Sequence, residues 1–349
     1  MACATSSIRT SGSAEVGAAA PGEALLAVRD LRVRFYTLRG VVHALEGVSF
    51  EARARESVGL VGETGCGKSI TARSVLRLID PPGRIVGGEI RFDGVELLDL
   101  DATEMRAIRG QRISMIMQEP KVSLNPVMRV GDQIAETLLI HDRRLGKRAA
   151  RIQAVEMLAA VRIPDPKRMA RHYPHELSGG MAQRVMIAMM LVTRPKLLIA
   201  DEPTSALDVT IQAQILDLMT QLIEEFQSAV LMITHDLGVV AETCDRVVVM
   251  YAGSVVEAGP VATVLHHPQH PYTKGLLATL PDRAAADTPL YTIPGNVPNL
   301  FAAVEGCRFA PRCTHAMERC RSQPVPLTAL SGDHRVACFL HADQGASDT

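Results

Sequence analysis

The sequence lacks any excess of charge: Lys and Arg number 37 against 38 Asp and Glu, a formal charge of −1. No global attraction to nucleic acid follows from that balance, so partners have to be read from local sites. Long apolar runs are also missing. Hydrophobic residues make up 47% of the 349, yet apolar runs such as Val185 to Thr193 fall far short of the roughly 20 residues a spanning helix needs. The opening residues MACATSSIRTSGSAEVGAAAPG contain no Leu- or Val-rich block of the kind a secretory signal requires, and residues 1–24 read as a disordered leader. Cysteine is present in odd number. Seven thiols cannot all pair, and Cys3, Cys66 and Cys244 stand isolated, which argues against a disulfide framework and for a reducing, cytosolic setting. No internal repeat is visible, and the length is enough for about two domains.

From Leu25 the texture becomes globular. LLAVRDLRVRF alternates as a half-buried strand does, VVHALEGVSFEA reads as a second strand, and ESVGLVG as a third that runs straight into a Gly-rich loop. Beyond that loop Ile70, Val75, Leu76 and Ile79 have helical spacing. Between Gln118 and Leu177 the pattern is helical, with VGDQIAETLLIH and RAARIQAVEMLAAVRI separated by the basic run DRRLGKR. Strand signals return as KLLIAD, AVLMITH and RVVVMYAG, alternating with helical stretches such as VTIQAQILDLMTQLIEEF, so an α/β core with mostly parallel strands is expected. After about Pro281 the chain is rich in Pro, Ala and Gly, which marks a linker or irregular lobe before a Cys-bearing tail.

Gly62-Glu63-Thr64-Gly65-Cys66-Gly67-Lys68-Ser69 fits G-x-x-x-x-G-K-[ST] between a strand and a helix. The glycines let successive backbone N–H groups point inward at phosphate oxygens, and the helix adds its positive end. Lys68 supplies a mobile cation to the phosphates, and the Ser69 hydroxyl is a hard oxygen suited to Mg²⁺. Downstream, KLLIADEP puts Asp201 and Glu202 at the end of a buried strand, where ligands bind in α/β sheets. Asp201 is expected to serve Mg²⁺ and Glu202 to polarise an attacking water. Cys66, at a helix N-terminus, occupies a position where a thiol pKa tends to fall.

These residues carry a resemblance. Leu177-Ser178-Gly179-Gly180-Met181-Ala182-Gln183-Arg184 is similar to the signature sequence of ABC ATPases, Gln118 in MIMQEP to their Q-loop, Ser205-Ala206-Leu207-Asp208 to their D-loop, and His235 in MITHD to their switch histidine. The motifs run in the family's order over about residues 25–260. The resemblance implies a P-loop NTPase (RecA-like) cassette over 25–262, with a helical subdomain inserted at about 119–180 and a small antiparallel β region. It implies two cassettes packed head to tail, so that Lys68 and Ser69 of one face Ser178 and Gly180 of the other across a shared ATP, with Gly62, Glu63, Thr64, Gly65, Cys66, Gly67, Ile70, Gly179 and Asp208 also binding ATP. Within the catalytic set Glu202, His235 and Gln118, the first two would act on the γ-phosphate and water and Gln118 would couple the metal site to the helical subdomain, while Ser69, Gln118 and Asp201 would hold Mg²⁺. The family pattern assigns adenine stacking to Phe35, with Tyr36 as the alternative. Met181 stands where the family usually has Gln; Ser178 and Gly180, which would touch phosphate, are kept.

Cys307, Cys313, Cys320 and Cys338 are spaced by five, six and seventeen residues. Thiols clustered in this way in a reducing compartment suggest metal, but the spacing is neither the tight C-x₂-C of zinc sites nor that of ferredoxins, and the chemistry alone leaves zinc, iron–sulfur and free thiols open. HHPQHPYTKGLLATLP followed by GCRFAPRC, ERC and HRVAC resembles the C-terminal extension of peptide-import ABC ATPases of the oligopeptide/dipeptide permease group, here over 263–341 with a tail at 342–349. The resemblance, which is to the D-type ATPase, implies a 4Fe–4S cluster on the four cysteines. It also implies work with a second, F-type ATPase, two membrane permeases and, indirectly, an extracytoplasmic binding protein, at the cytoplasmic face of the inner membrane. The cargo would be di- or oligopeptides or a related solute such as nickel, and no nucleic acid is expected. The competing expectation is a soluble ABC ATPase of repair, translation or cluster assembly; repair ATPases carry long coiled coils and translation factors two cassettes, whereas this chain has one cassette and a helical insert of ordinary length.

Overall fold

The computed structural model describes residues 24–119, 123–205, 207–280, 291–301 and 304–341; the expected leader, except Ala24, and the tail lie outside them. In chain order its strands are β1 (Leu26–Thr37), β2 (Gly40–Ala52), β3 (Ser57–Val61), β4 (Gly83–Phe92), β5 (Val95–Glu96), β6 (Ile113–Ile116), β7 (Leu197–Asp201), β8 (Ala229–Ile233), β9 (Arg246–Tyr251), β10 (Ser254–Pro260), β11 (Thr328–Ser331) and β12 (His334–Val336). They form a four-stranded antiparallel sheet, β2-β1-β4-β5, and an eight-stranded sheet, β11-β12-β10-β9-β3-β8-β7-β6.

The short strands β7 and β8 read as unbroken apolar runs because both of their faces are covered. Leu197, Ile199, Leu231 and Ile233 point to the antiparallel sheet, where they meet Leu26, Val28, Leu31 and Ile90. Leu198, Ala200, Val230 and Met232 point the other way, onto the helices Gly179–Leu191 and Val209–Phe226 and the helical segment Val130–His141. The α/β class stands, with a difference in sheet composition. Strands β6, β7, β8, β3 and β9 pair in parallel, whereas β10, β12 and β11 are antiparallel. A two-residue turn reverses the chain after β9: Ala252 and Gly253 both have positive φ (47° and 86°), the geometry that matches the twist of a tight hairpin.

Several helices start at a side-chain oxygen. Asp101 caps Ala102–Ile108 by accepting from the Thr103 and Glu104 N–H groups, with Glu104 returning to the Asp101 N–H as a capping box. Ser178, Asp208 and Asp236 cap the helices Gly179–Leu191, Val209–Phe226 and Leu237–Thr243.

The C-terminal extension folds back on the cassette. Tyr272, on the helix Pro271–Ala278, and Phe309 pack on Tyr251 at the end of β9, with ring centroids 4.6 and 5.1 Å away. The fully buried Glu257 of β10 accepts the Gln269 and His270 N–H groups and meets His334 of β12 at 2.8 Å, which satisfies a carboxylate that burial would otherwise leave costly.

Candidate functional site

The loop between β3 and the helix Lys68–Val75 reverses at Gly62, whose φ is 148°. A Cβ there would lie 2.1 Å from the Met250 carbonyl oxygen, so only glycine permits the approach to β9. Lys68 is buried, and its Nζ donates to the carbonyl oxygens of Gly62 (2.8 Å) and Glu63 (3.2 Å). The Ser69 hydroxyl donates to Asp201 Oδ1 at 2.9 Å, which ties the loop to the end of β7. Burial pushes the Asp201 carboxyl above the usual carboxylate range; the Ser69 hydroxyl pulls it back and the neighbouring Glu202 pushes it up again.

Glu202 sits at φ 46°, a left-handed conformation that costs a non-glycine residue about 1 kcal/mol or more. That turn carries its carboxylate into the cavity. Gln118 Nε2 donates to Oε2 at 3.0 Å, and His235 Nδ1 lies 3.3 Å from Oε1. The side chains of Lys68, Ser69, Gln118, Glu202 and His235 line a cavity of about 360 Å³ with Thr64, Gly65, Gly67, Ile70, Ala44 and Leu300. Ala44 and Leu300 were not among the sequence candidates. Leu300 reaches the site because its carbonyl accepts the His43 N–H at 2.8 Å, a contact between positions too far apart in the chain for any local pattern to report.

The remaining candidates lie elsewhere. Ser178 accepts the Met181 N–H as a helix cap, Asp208 accepts the Ile211 N–H, and Gly179 and Gly180 pack on Leu207 and Ile211. None of the four lines the phosphate cavity. Phe35 is half-buried on the antiparallel sheet against Ile79 and Gly83, and Tyr36 is exposed beside Arg84. Cys66 departs from expectation in its ionisation. At 2% exposure its thiol is pushed up by burial, and the nearby Lys68 ammonium only partly offsets this; loss of water outweighs the helix end.

In the extension no pair of cysteines is bridged among the described residues. Cys313 Sγ accepts the His315 N–H (3.4 Å) and Cys320 Sγ the Met317 N–H (3.5 Å), while Cys307 accepts from Phe309 and Ala310 and Cys338 from Leu340. Burial raises the Cys307 thiol to about 11 and pushes up those of Cys313 and Cys338, with the proximity of the other thiols adding to each. No three Cys, His, Asp or Glu side chains among the described residues are grouped to hold a metal ion. The expected 4Fe–4S cluster therefore finds no support in a closed ligand set.

A phosphate loop on a parallel sheet, acids at the end of the next strand but one and a capped Ser-Gly-Gly helix in an inserted helical region together define an ATPase cassette of the ABC class. Residues 45–205 match the ABC transporter family, and residues 256–320 match the C-terminal region of oligopeptide/dipeptide transporters. The oligopeptide transport ATP-binding protein OppD of Salmonella typhimurium is 51% identical over 324 residues, 93% of this chain and 96% of that protein. The dipeptide transport ATP-binding protein DppD of Bacillus subtilis is 47% identical over 325 residues, again 93% of this chain and 96% of that protein. Among solved structures, the dimeric ATP-binding cassette MJ0796 in a post-hydrolysis state with ADP and Pi superposes with a TM-score of 0.61 at 27% identity, covering 68% of this chain and 98% of that one. The chain belongs to the family of oligopeptide and dipeptide transport ATP-binding proteins of ABC transporters, and it is an ATPase of that type.

Proposed function

We propose that this chain is the ATP-hydrolysing subunit that powers uptake of di- or oligopeptides through a membrane permease. The observation that carries the reading is the meeting of Lys68, Ser69, Gln118, Glu202 and His235 around one cavity, in a chain 47–51% identical to peptide-transport ATP-binding proteins. The triphosphate lies along the N–H groups of the loop, with Lys68 released from the Gly62 and Glu63 carbonyls to meet it. Ser69 and Asp201 offer a hydroxyl and a carboxylate, hard oxygens that fit Mg²⁺, with Gln118 as the third candidate; the ion neutralises phosphate charge when bound. Glu202 takes a proton from the attacking water. Its two oxygens are held by Gln118 and His235, so the base is aimed before substrate arrives. Ser178 and Gly180 act on the triphosphate of a second cassette, an F-type ATPase, with their helix N-terminus toward the γ-phosphate.

Among the described residues no helix is long and apolar enough to cross a membrane, so attachment to the membrane runs through two permease subunits, and cargo arrives from an extracytoplasmic binding protein. The cysteine set belongs to the same reading. Four thiols within electrostatic reach of one another, each accepting a backbone N–H, have the donor chemistry of a metal–thiolate site. Cys307, Cys313, Cys320 and Cys338 would hold a 4Fe–4S cluster, and the cluster would supply a cross-link rather than chemistry to hydrolysis. Anaerobic purification with iron, sulfide and zinc analysis decides it: stoichiometric zinc without sulfide refutes the cluster. Deleting the gene and restoring it tests transport, with expected loss and recovery of labelled peptide uptake in whole cells; uptake that survives deletion refutes the assignment.

A further inference from the structure

Glu63 is an awkward residue for its position. It lies inside a loop whose N–H groups and lysine collect negative phosphate, and a free carboxylate there would repel the substrate. Its side chain does not line the phosphate cavity. It turns toward the C-terminal extension, where Arg312 takes both of its oxygens: Nη1 donates to Oε2 at 2.9 Å and Nη2 to Oε1 at 3.2 Å, a fork-to-fork pair. The Arg312 side chain is 6% exposed. Its other contacts fix its direction, since Nε donates to the Pro294 carbonyl (2.9 Å), Nη2 to the Ile293 carbonyl (3.0 Å) and Nη1 to the Tyr251 hydroxyl (3.2 Å). A second extension residue grips the same loop position, because the Glu63 N–H donates to the Tyr272 hydroxyl at 2.9 Å. With Lys68 on the Glu63 carbonyl, this residue is held at its side chain, its N–H and its C=O.

We propose that Arg312 is a positioning residue of the ATP site, which draws the Glu63 carboxylate away from the phosphate cavity and cancels its charge, so that the C-terminal extension sets the affinity of the loop for nucleotide. This rests on the reading of the cavity as an ATP site. Arg312 touches neither phosphate nor water, and its effect falls on binding rather than on the chemical step.

The test is a double-mutant cycle on the full-length protein, with ATP KM, kcat, a fluorescent ATP analogue for Kd, and melting temperature measured for each variant. Arg312→Met is expected to raise KM and Kd for ATP about tenfold with kcat held within about twofold, because the freed carboxylate now opposes the triphosphate. Adding Glu63→Gln to Arg312→Met is expected to return KM to within about threefold of wild type, whereas a merely structural loss would persist. Glu63→Gln alone, which leaves Arg312 charged, is expected to tighten ATP binding and stands as the test if Arg312→Met does not fold. A folded Arg312→Met with unchanged KM, a double variant as weak as the single, or weaker binding in Glu63→Gln overturns the proposal. Failure of wild type to bind ATP would instead sink the reading of the cavity.

Discussion

The two regions expected to touch nucleotide differ in their state of assembly. Around the phosphate loop, side chains from four separate segments already bond to one another: Ser69 to Asp201, and Gln118 and His235 to Glu202. At the signature helix the polar groups are turned to local work, with Ser178 and Asp208 each capping its own helix and Gly180 resting against Ile211. One region is complete within a single chain. The other is a capped helix end that lies outside that cavity.

Glu202→Gln strikes the assembled region hardest: turnover is expected to fall by at least about 100-fold while ATP binding persists, measured by phosphate release and equilibrium binding. Full turnover in this variant would remove Glu202 as the base. Ser178→Asp addresses the other region. Aspartate caps a helix as well as serine, so the melting temperature is expected to hold; in the proposed pair of cassettes the added charge would face the partner's triphosphate, and turnover is expected to drop by about 100-fold with single-chain ATP binding within about twofold. Normal turnover there would erase the distinction between the regions. His235→Ala releases one side of Glu202 and is expected to cost about 30-fold in kcat with little change in KM for ATP.

The smallest effect concerns Asp201. Its folded pKa is raised, so the ionised carboxylate destabilises the fold, a penalty complete above the raised value and lost as pH falls through it. Asp201→Asn is accordingly expected to raise the melting temperature without nucleotide by about 2 °C at pH 7, the gain shrinking on acidification. A gain that grows on acidification would contradict the assignment of burial as the cause.

The phosphate loop was legible because its residues are contiguous and each answers a local demand, such as the backbone approach at Gly62. Asp201 and Glu202 were legible as acids ending a buried run, though not the left-handed turn that aims Glu202. The bond from Arg312 to Glu63 was not, since 249 positions separate the partners and the motifs they lie in, the phosphate loop and GCRFAPRC, carry no sign of a contact between them. The Cys66 ionisation was misjudged for a related reason: the helix terminus is local, but the burial that outweighs it comes from the β9 side of the sheet and the antiparallel sheet. The antiparallel ending of the large sheet depends on residues 328–336 returning to β10, again a long-range pairing.

That return has a consequence for the order in which the molecule is made. While the ribosome has delivered only the cassette, β10 is an outer strand with unsatisfied backbone groups, a template on which another nascent chain could pair. β12 takes that place through Glu257 and Ala258, and the Ala337 N–H adds a bond to the Val256 carbonyl. These late strands thus cover β10 and move that edge of the sheet to the four-residue β11, too short to serve as a long template.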